Sequence, residues 1–175
     1  MRANSNRSSY TGPSGTRSGS YDAQDRIESW GGVTYNHTPA GEWLSKTTSE
    51  GSTTYSYDAV GNLRSVDLAD GTEIEYLIDG QDRRVGKQVD GTLTRAWLYR
   101  EQLNPVAELD GSGNVVARFI YAGKPNVPSY MVKNGQSYRI VSDHLGSVRL
   151  VVDADTGQIA QRMDLQPPWL YGRPV

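Results

Sequence analysis

Apolar and polar positions alternate along this chain in short runs that never lengthen into a helical stripe. In TEIEYLID (72–79), Ile74, Tyr76 and Ile78 fall on one face, and Glu73 and Glu75 on the other. That is the period-two signature of a strand. TLTRAWLY (92–99) sets Trp97 and Tyr99 on one face, and VVARFIY (115–121) does the same with Val115, Ala117, Phe119 and Tyr121. Such runs predict strands of about six residues, ~20 Å each. Gly and Asp interrupt every candidate helix, and a single Gly inside a helix costs about 1 kcal/mol. The pattern predicts an all-β chain, an antiparallel meander of hairpins forming a curved sheet.

Glycines supply the period. Gly31, Gly51, Gly71, Gly91 and Gly111 lie 20 residues apart, and four of them follow an acid, as Glu50-Gly51, Asp70-Gly71, Asp90-Gly91 and Asp110-Gly111. The spacing then loosens to Asn134-Gly135 and Asp155-Thr156-Gly157. Asp-Gly and Asn-Gly between alternating runs predict two-residue type I′ turns, because both central residues must take positive φ. A second set of turn residues sits between these, at Ala40-Gly41, Gly61-Asn62, Asp79-Gly80 and Ala122-Gly123. An aromatic recurs after each turn, at Tyr35, Tyr55, Tyr57, Tyr76, Tyr99 and Tyr121, which predicts cross-strand ring pairs.

The ends differ from this pattern. Residues 1–20 hold six Ser, three Gly, three Arg and no acid, and read as a flexible tail. Residues 165–175, LQPPWLYGRPV, carry three prolines and read as a divergent tail, since proline lacks the amide a central strand needs. The sheet is expected over 21–164.

Composition narrows the function classes. With 18 Lys+Arg against 20 Asp+Glu, bulk charge does not attract nucleic acid or an anionic membrane. The absence of cysteine excludes thiol chemistry and disulfides. No apolar run approaches the ~20 residues of a membrane helix, and no signal-peptide core opens the chain. Leu, Ile, Val and Phe supply about one fifth of the residues, and 11 Tyr and 4 Trp add apolar area, which favours strands.

The stretch TTYSYDAVGNLRSVDL (53–68) carries a specific motif: Tyr-Asp, two residues, Gly, one residue, Leu. Tyr57-Asp58-Ala59-Val60-Gly61-Asn62-Leu63 matches it in full. Tyr21-Asp22-Ala23-Gln24-Asp25-Arg26-Ile27 lacks the glycine, Tyr35-Asn36 starts a copy reaching Gly41 and Leu44, and Tyr76 leads through Asp79-Gly80 into Arg83-Arg84-Val85. These resemble the YD repeats of the RHS (rearrangement hot spot) family. WLYREQLNPVAELDGSGNVVARFIYAG (97–123) and YRIVSDHLGSVRLVVDADTGQIAQRMD (138–164) resemble the RHS-associated core.

The resemblance implies a sheet that spirals into a hollow shell around a C-terminal toxin, in polymorphic toxins and in the C subunits of insecticidal toxin complexes. It implies a secreted or cell-surface location. Self-cleavage in the family depends on an aspartate-containing segment rich in Asp-Pro and Gly-Leu. This chain has no Asp-Pro pair, so no cleavage position carries over, and it reads as the last repeats of a core truncated before that region.

Asp143, His144 and Ser147 in DHLGS are the residue types of a hydrolase triad, but neighbouring residues of one loop diverge. A structural role, with Asp143 and His144 fixing the loop by hydrogen bonds, is the plainer reading. His37 reads as an exposed turn residue without metal partners. Glu73 and Glu75 share a face as half a glycosidase site would, and opposed Arg or Lys explain them more simply. Arg83-Arg84 and the tail arginines are too scattered for a nucleic-acid stripe. The aromatic row reads as packing, with sugar stacking as its rival.

The expectation is therefore a non-enzymatic shell segment with no catalytic, metal or cofactor residues. Its expected partners are a cargo polypeptide or other shell segments, and its open sheet edges are expected to self-associate. A carbohydrate-binding surface of Tyr and Trp is the first alternative, and a DHLGS hydrolase the second.

Overall fold

The computed structural model of the chain describes residues 6–13 and 15–163. These residues form sixteen strands and no helix, and strand order follows chain order. The expected all-β meander is borne out.

The chain divides into two units, the first made of residues up to Tyr76 with Val89–Gly91, the second of Leu77–Gln88 with residues from Thr92 onward. The first unit holds β1 (Ser9–Gly12), β2 (Gly15–Tyr21), β3 (Ile27–Trp30), β4 (Val33–His37), β5 (Trp43–Thr48), β6 (Gly51–Tyr57) and β7 (Leu63–Asp67). β8 (Glu73–Ile78) and β9 (Arg84–Val89) run from one unit into the other. The second unit continues with β10 (Thr92–Glu101), β11 (Asn104–Asp110), β12 (Val115–Ile120), β13 (Tyr130–Lys133), β14 (Gln136–Ser142), β15 (Val148–Asp153) and β16 (Ile159–Arg162).

Within the stretch expected as a tail, the described residues include strands at 9–12 and 15–20, with Ser9 opposite Ser18 and Gly12 opposite Gly15. A Ser/Gly-rich stretch holds strands here because its hydroxyls pair across them: Thr11 with Thr16 at 2.8 Å, and Ser20 with Ser29 at 2.9 Å. The expected tail at 165–175 lies outside the described residues.

In the first unit, opposed residues sort the two faces into a hydroxyl-rich one and an aromatic-rich one that also holds Lys46 and Thr53. One face carries Ser20, Ser29, Thr34, Asn36, Ser45, Thr47, Ser52, Thr54, Ser56, Ser65 and Asp67. They are bonded in pairs: Asn36 donates to Ser45 at 2.9 Å, Thr47 meets Ser52 at 2.7 Å, Thr54 donates to Asp67 at 2.9 Å, and Ser56 meets Ser65 at 2.7 Å. The other face carries Trp30, Val33, Tyr35, Trp43, Tyr55, Val66 and Ile74. In both units the sheet is one layer thick. Only Val66, Ala107, Ala117 and Val151 among the described apolar residues are buried, because neighbouring side chains on the same face are their only cover.

β-Bulges re-aim individual residues. Glu108 stands opposite Ala117 but Leu109 stands opposite Val115, so Val115 leaves the face it was expected to share with Ala117 and is exposed. Glu73 and Glu75 do share a face, but across from them on β7 stand Asp67 and Ser65, not the expected Arg or Lys.

Candidate functional site

The residues that define the motif build one loop, repeated. At 58–62 the Asp58 N–H donates to the Asn62 carbonyl at 3.0 Å and the Gly61 N–H donates to the Asp58 carbonyl at 3.1 Å. The fourth position must take positive φ, and Gly61 sits at 89°. The Asp58 carboxylate then turns inward, where Oδ1 accepts the N–H groups of Val60 and Asn62 at 3.1 and 2.9 Å. This is an Asx turn closed at both ends. Tyr57 and Leu63 stand directly opposite one another as the loop's two feet.

The same loop recurs at 22–26, 79–83, 110–114 and 143–147. In each, the leading Asp accepts the N–H two and four residues on, at 2.8–3.1 Å. The fifth side chain reaches back in four of the five: Arg26 Nε to Asp22 at 2.6 Å, Asn62 to Asp58 at 3.1 Å, Arg83 Nε to Asp79 at 2.8 Å and Asn114 to Asp110 at 3.0 Å. At 143–147 Ser147 is too short, and Arg149 Nε takes that place at 3.2 Å. At 38–42 Thr38 stands in for Asp and accepts the Glu42 N–H at 3.2 Å. The Arg26 guanidinium also donates to the Thr38 carbonyl at 3.1 Å, tying one loop to the next.

This bonding holds the carboxylates below their ordinary pKa. The Asn62 N–H acts most strongly on Asp58, the Arg26 N–H on Asp22, the Arg83 side chain on Asp79 and the Asn114 side chain on Asp110. Partial burial pushes Asp143 upward, but the N–H groups of Ser147 and Leu145, with Arg149, bring it down overall.

DHLGS is therefore one more copy of the loop. Its Asp143 carboxylate is directed at the backbone and Arg149, and Gly146 takes φ of 91°. Asp143 fixes the loop as expected, whereas His144 contributes no hydrogen bond to it among the described residues. His37 is half-buried at the end of β4, opposite Trp43, instead of in the exposed turn expected from sequence. Among the described residues no cluster of His, Asp and Glu could hold a metal ion.

The type I′ expectation holds where the dipeptide bridges two directly paired strand ends. Asp90-Gly91 and Asn134-Gly135 both take positive φ throughout, as does Gly31-Gly32. It fails at Asp110-Gly111 and Asp70-Gly71. Asp110 opens a five-residue loop whose positive φ falls on Gly113, and Gly71 is the fourth residue of the loop 68–72.

The recurrent tyrosines act as ties. Tyr21 Oη donates to the Arg7 carbonyl at 3.2 Å, Tyr99 Oη to that of Arg84 at 3.0 Å and Tyr121 Oη to that of Pro105 at 3.0 Å. Trp43, 41 % exposed, lies 5.0 Å from Tyr35 and 6.3 Å from Tyr55 by ring centroids. Beside it a shallow cleft of 480 Å³ is lined by Thr38, Glu42, Leu44, Tyr55, Tyr57 and Asp58 among others. Burial raises the phenol pKa of Tyr35 and Tyr55, and of Tyr57 together with the Glu42 carboxylate.

The Teneurin YD-shell family profile matches residues 2–169. The chain belongs to the Teneurin YD-shell family. The match bears out the YD-repeat resemblance and identifies the chain as a YD-shell segment. The tRNA3(Ser)-specific nuclease WapA of Bacillus spizizenii is 28% identical over 116 residues, 65% of this chain and 5% of that protein. Among solved structures, the crystal structure of TcdB2-TccC3-Cdc42 is similar with a TM-score of 0.46 and 11% identity, over 82% of this chain and 10% of that one. The Tc holotoxin pore of Photorhabdus luminescens gives 0.45 and 12%, over 86% of this chain and 10% of that one. The chain thus spans a small part of each protein it resembles. No helix among the described residues is long and apolar enough to cross a membrane.

Proposed function

We propose that this YD-shell segment is a non-enzymatic wall, placed outside the cell, whose work is steric: it separates a cargo polypeptide from the medium. The observation that carries this reading is the loop repeat. Asp22, Asp58, Asp79, Asp110 and Asp143, the residues best suited to acid–base chemistry by type, all hold backbone amides. The Ser, Thr and Asn side chains of the hydroxyl face of the first unit bond to one another and offer little to an unfolded chain, which suits containment, while Asp67, Glu73 and Glu75 carry charge at its β7–β8 end. In the shell to which the segment belongs, a cargo should resist protease, and it should become sensitive when Asp58 and Asp143 are both replaced by Ala. Equal digestion rates for enclosed and free cargo would remove the containment reading.

The edge strands β1 and β16 have a strand partner on one side only among the described residues. Pairing there with a further shell strand or a second copy goes with the wall function. Light scattering at rising concentration should show association.

A second reading has its own observation, the exposed Trp43 in tilted ring contact with Tyr35 beside the cleft. Such a ring suits the face of a sugar. Binding on a glycan array that Trp43→Ala abolishes would support it, and no glycan hit would end it.

A further inference from the structure

The second unit carries a sheet face whose chemistry is visible only through the strand register. Arg118 stands opposite Val132, which stands opposite Ser137. Two residues along, Ile120 faces Tyr130, and Tyr130 faces Arg139. One further step along, Val141 faces Leu150, and Leu150 faces Arg162. Arg118, Arg139 and Arg162 therefore lie on one face of β12, β14 and β16, in a diagonal line. Each step crosses two strands and two residues, about 12 Å at ordinary sheet spacings.

None of the ion pairs among the described residues involves these three arginines, whereas Arg26, Arg83, Arg95, Arg100 and Arg149 each meet a carboxylate. All three are exposed. No carboxylate occupies any of the opposed positions just traced. Between the arginines the face is apolar and open, with Ile120 46 %, Tyr130 38 % and Val141 36 % exposed. Isolated exposed apolar residues are ordinary, but a contiguous set interleaved with cations that meet no carboxylate among the described residues marks a contact surface.

We infer that this face docks an extended acidic polypeptide segment that has apolar residues between its carboxylates. Guanidinium groups pair with carboxylates in two-point contacts, and the intervening Ile, Tyr and Val would take apolar side chains. At about 3.4 Å per residue, the arginine spacing matches an acid at every third or fourth position of an extended strand. Nucleic acid is disfavoured because its charge recurs about every 3.4 Å of each strand, far more densely than the arginines, and leaves the aliphatic residues unmatched. The inference holds whether or not the wall encloses a cargo, and peptide affinity and cargo protection are separate readouts.

The test titrates the full chain with a labelled peptide that has glutamate at every third or fourth position and leucine or tyrosine between. Binding is expected, weakening at least about tenfold in R118E/R139E/R162E and falling in high salt. Ile120→Ser with Val141→Ser is expected to weaken it as well. Circular dichroism verifies the strand signal of each variant. R118Q/R139Q/R162Q, with no reversed charge, serves if the glutamate variant fails to fold. Unchanged affinity in the arginine variants would overturn the inference, as would equal binding of a lysine-for-glutamate peptide. Tighter binding of single-stranded RNA or anionic vesicles than of the peptide would also overturn it.

Discussion

Asp58 accepts the backbone N–H of Asn62 at 2.9 Å, and this one contact explains why the motif spaces its aspartate and its glycine three residues apart. Bringing the fifth N–H onto the first carboxylate requires the fourth residue to take positive φ, which Gly61 does. Asp58→Ala should therefore lower the melting temperature by several degrees. Asp58→Asn, which keeps the Oδ1 acceptor, should recover most of that loss. Thermal unfolding of the three proteins checks the order.

Acid should unfold the chain within the carboxylate range. The folded pKa values of Asp22, Asp58, Asp79, Asp110, Asp143 and Asp153 lie below the unfolded value. The unfolded state then binds protons first as pH falls. The stabilisation is fully present above the unfolded value of about 3.9 and is lost as pH drops through the lowered folded values. Urea midpoints should be level near neutrality and fall steeply below about pH 4. A midpoint already falling from neutral pH downward would contradict this.

Two glycines should respond differently to alanine. A Cβ on Gly111 would lie 2.0 Å from the Leu93 carbonyl oxygen, while one on Gly80 meets nothing within 4 Å. Gly111→Ala should destabilise by roughly 1–3 kcal/mol, as overpacked sites do. Gly80→Ala should stay within about 0.5 kcal/mol. Denaturant unfolding of each variant measures the difference.

Asn104 is 2 % exposed and donates to the Pro125 carbonyl at 2.6 Å, pinning the connection 121–129. Asn104→Leu leaves that carbonyl without its partner and should cost about 1–3 kcal/mol. Limited proteolysis should then cut first within 121–129.

His144→Ala and Ser147→Ala should each change stability by less than about 0.5 kcal/mol, because the loop uses the Ser147 backbone and not its hydroxyl. Asp143→Ala should lower the melting temperature measurably. Equal effects from all three would point to a role for the side chains as a set.

The strands were legible because alternation and turn residues are local signals. Tyr57 through Leu63 could be read as a reversal from sequence, and it is one. At Asp110-Gly111 the two-residue turn rule competes with a five-residue one, and the longer loop forms. Asp110-x-x-Gly113-Asn114 repeats the spacing of Asp58-x-x-Gly61-Asn62, and that longer pattern was the available signal. The strands at 9–21 left no hydrophobic trace, because their partners are hydroxyls such as Thr11 with Thr16. The arginine diagonal was invisible for another reason: Arg118, Arg139 and Arg162 are far apart in sequence and meet one face only through register and the bulges that reset it.

Pairing each strand only with its immediate neighbours has a kinetic outcome. Every contact that defines a hairpin forms between residues close in sequence, so the entropy of closing each loop is small. Folding can begin at any reversal and spread in both directions, much as a zipper closes. A ribosome could thus deliver this chain one hairpin at a time, each new strand docking on the one before it.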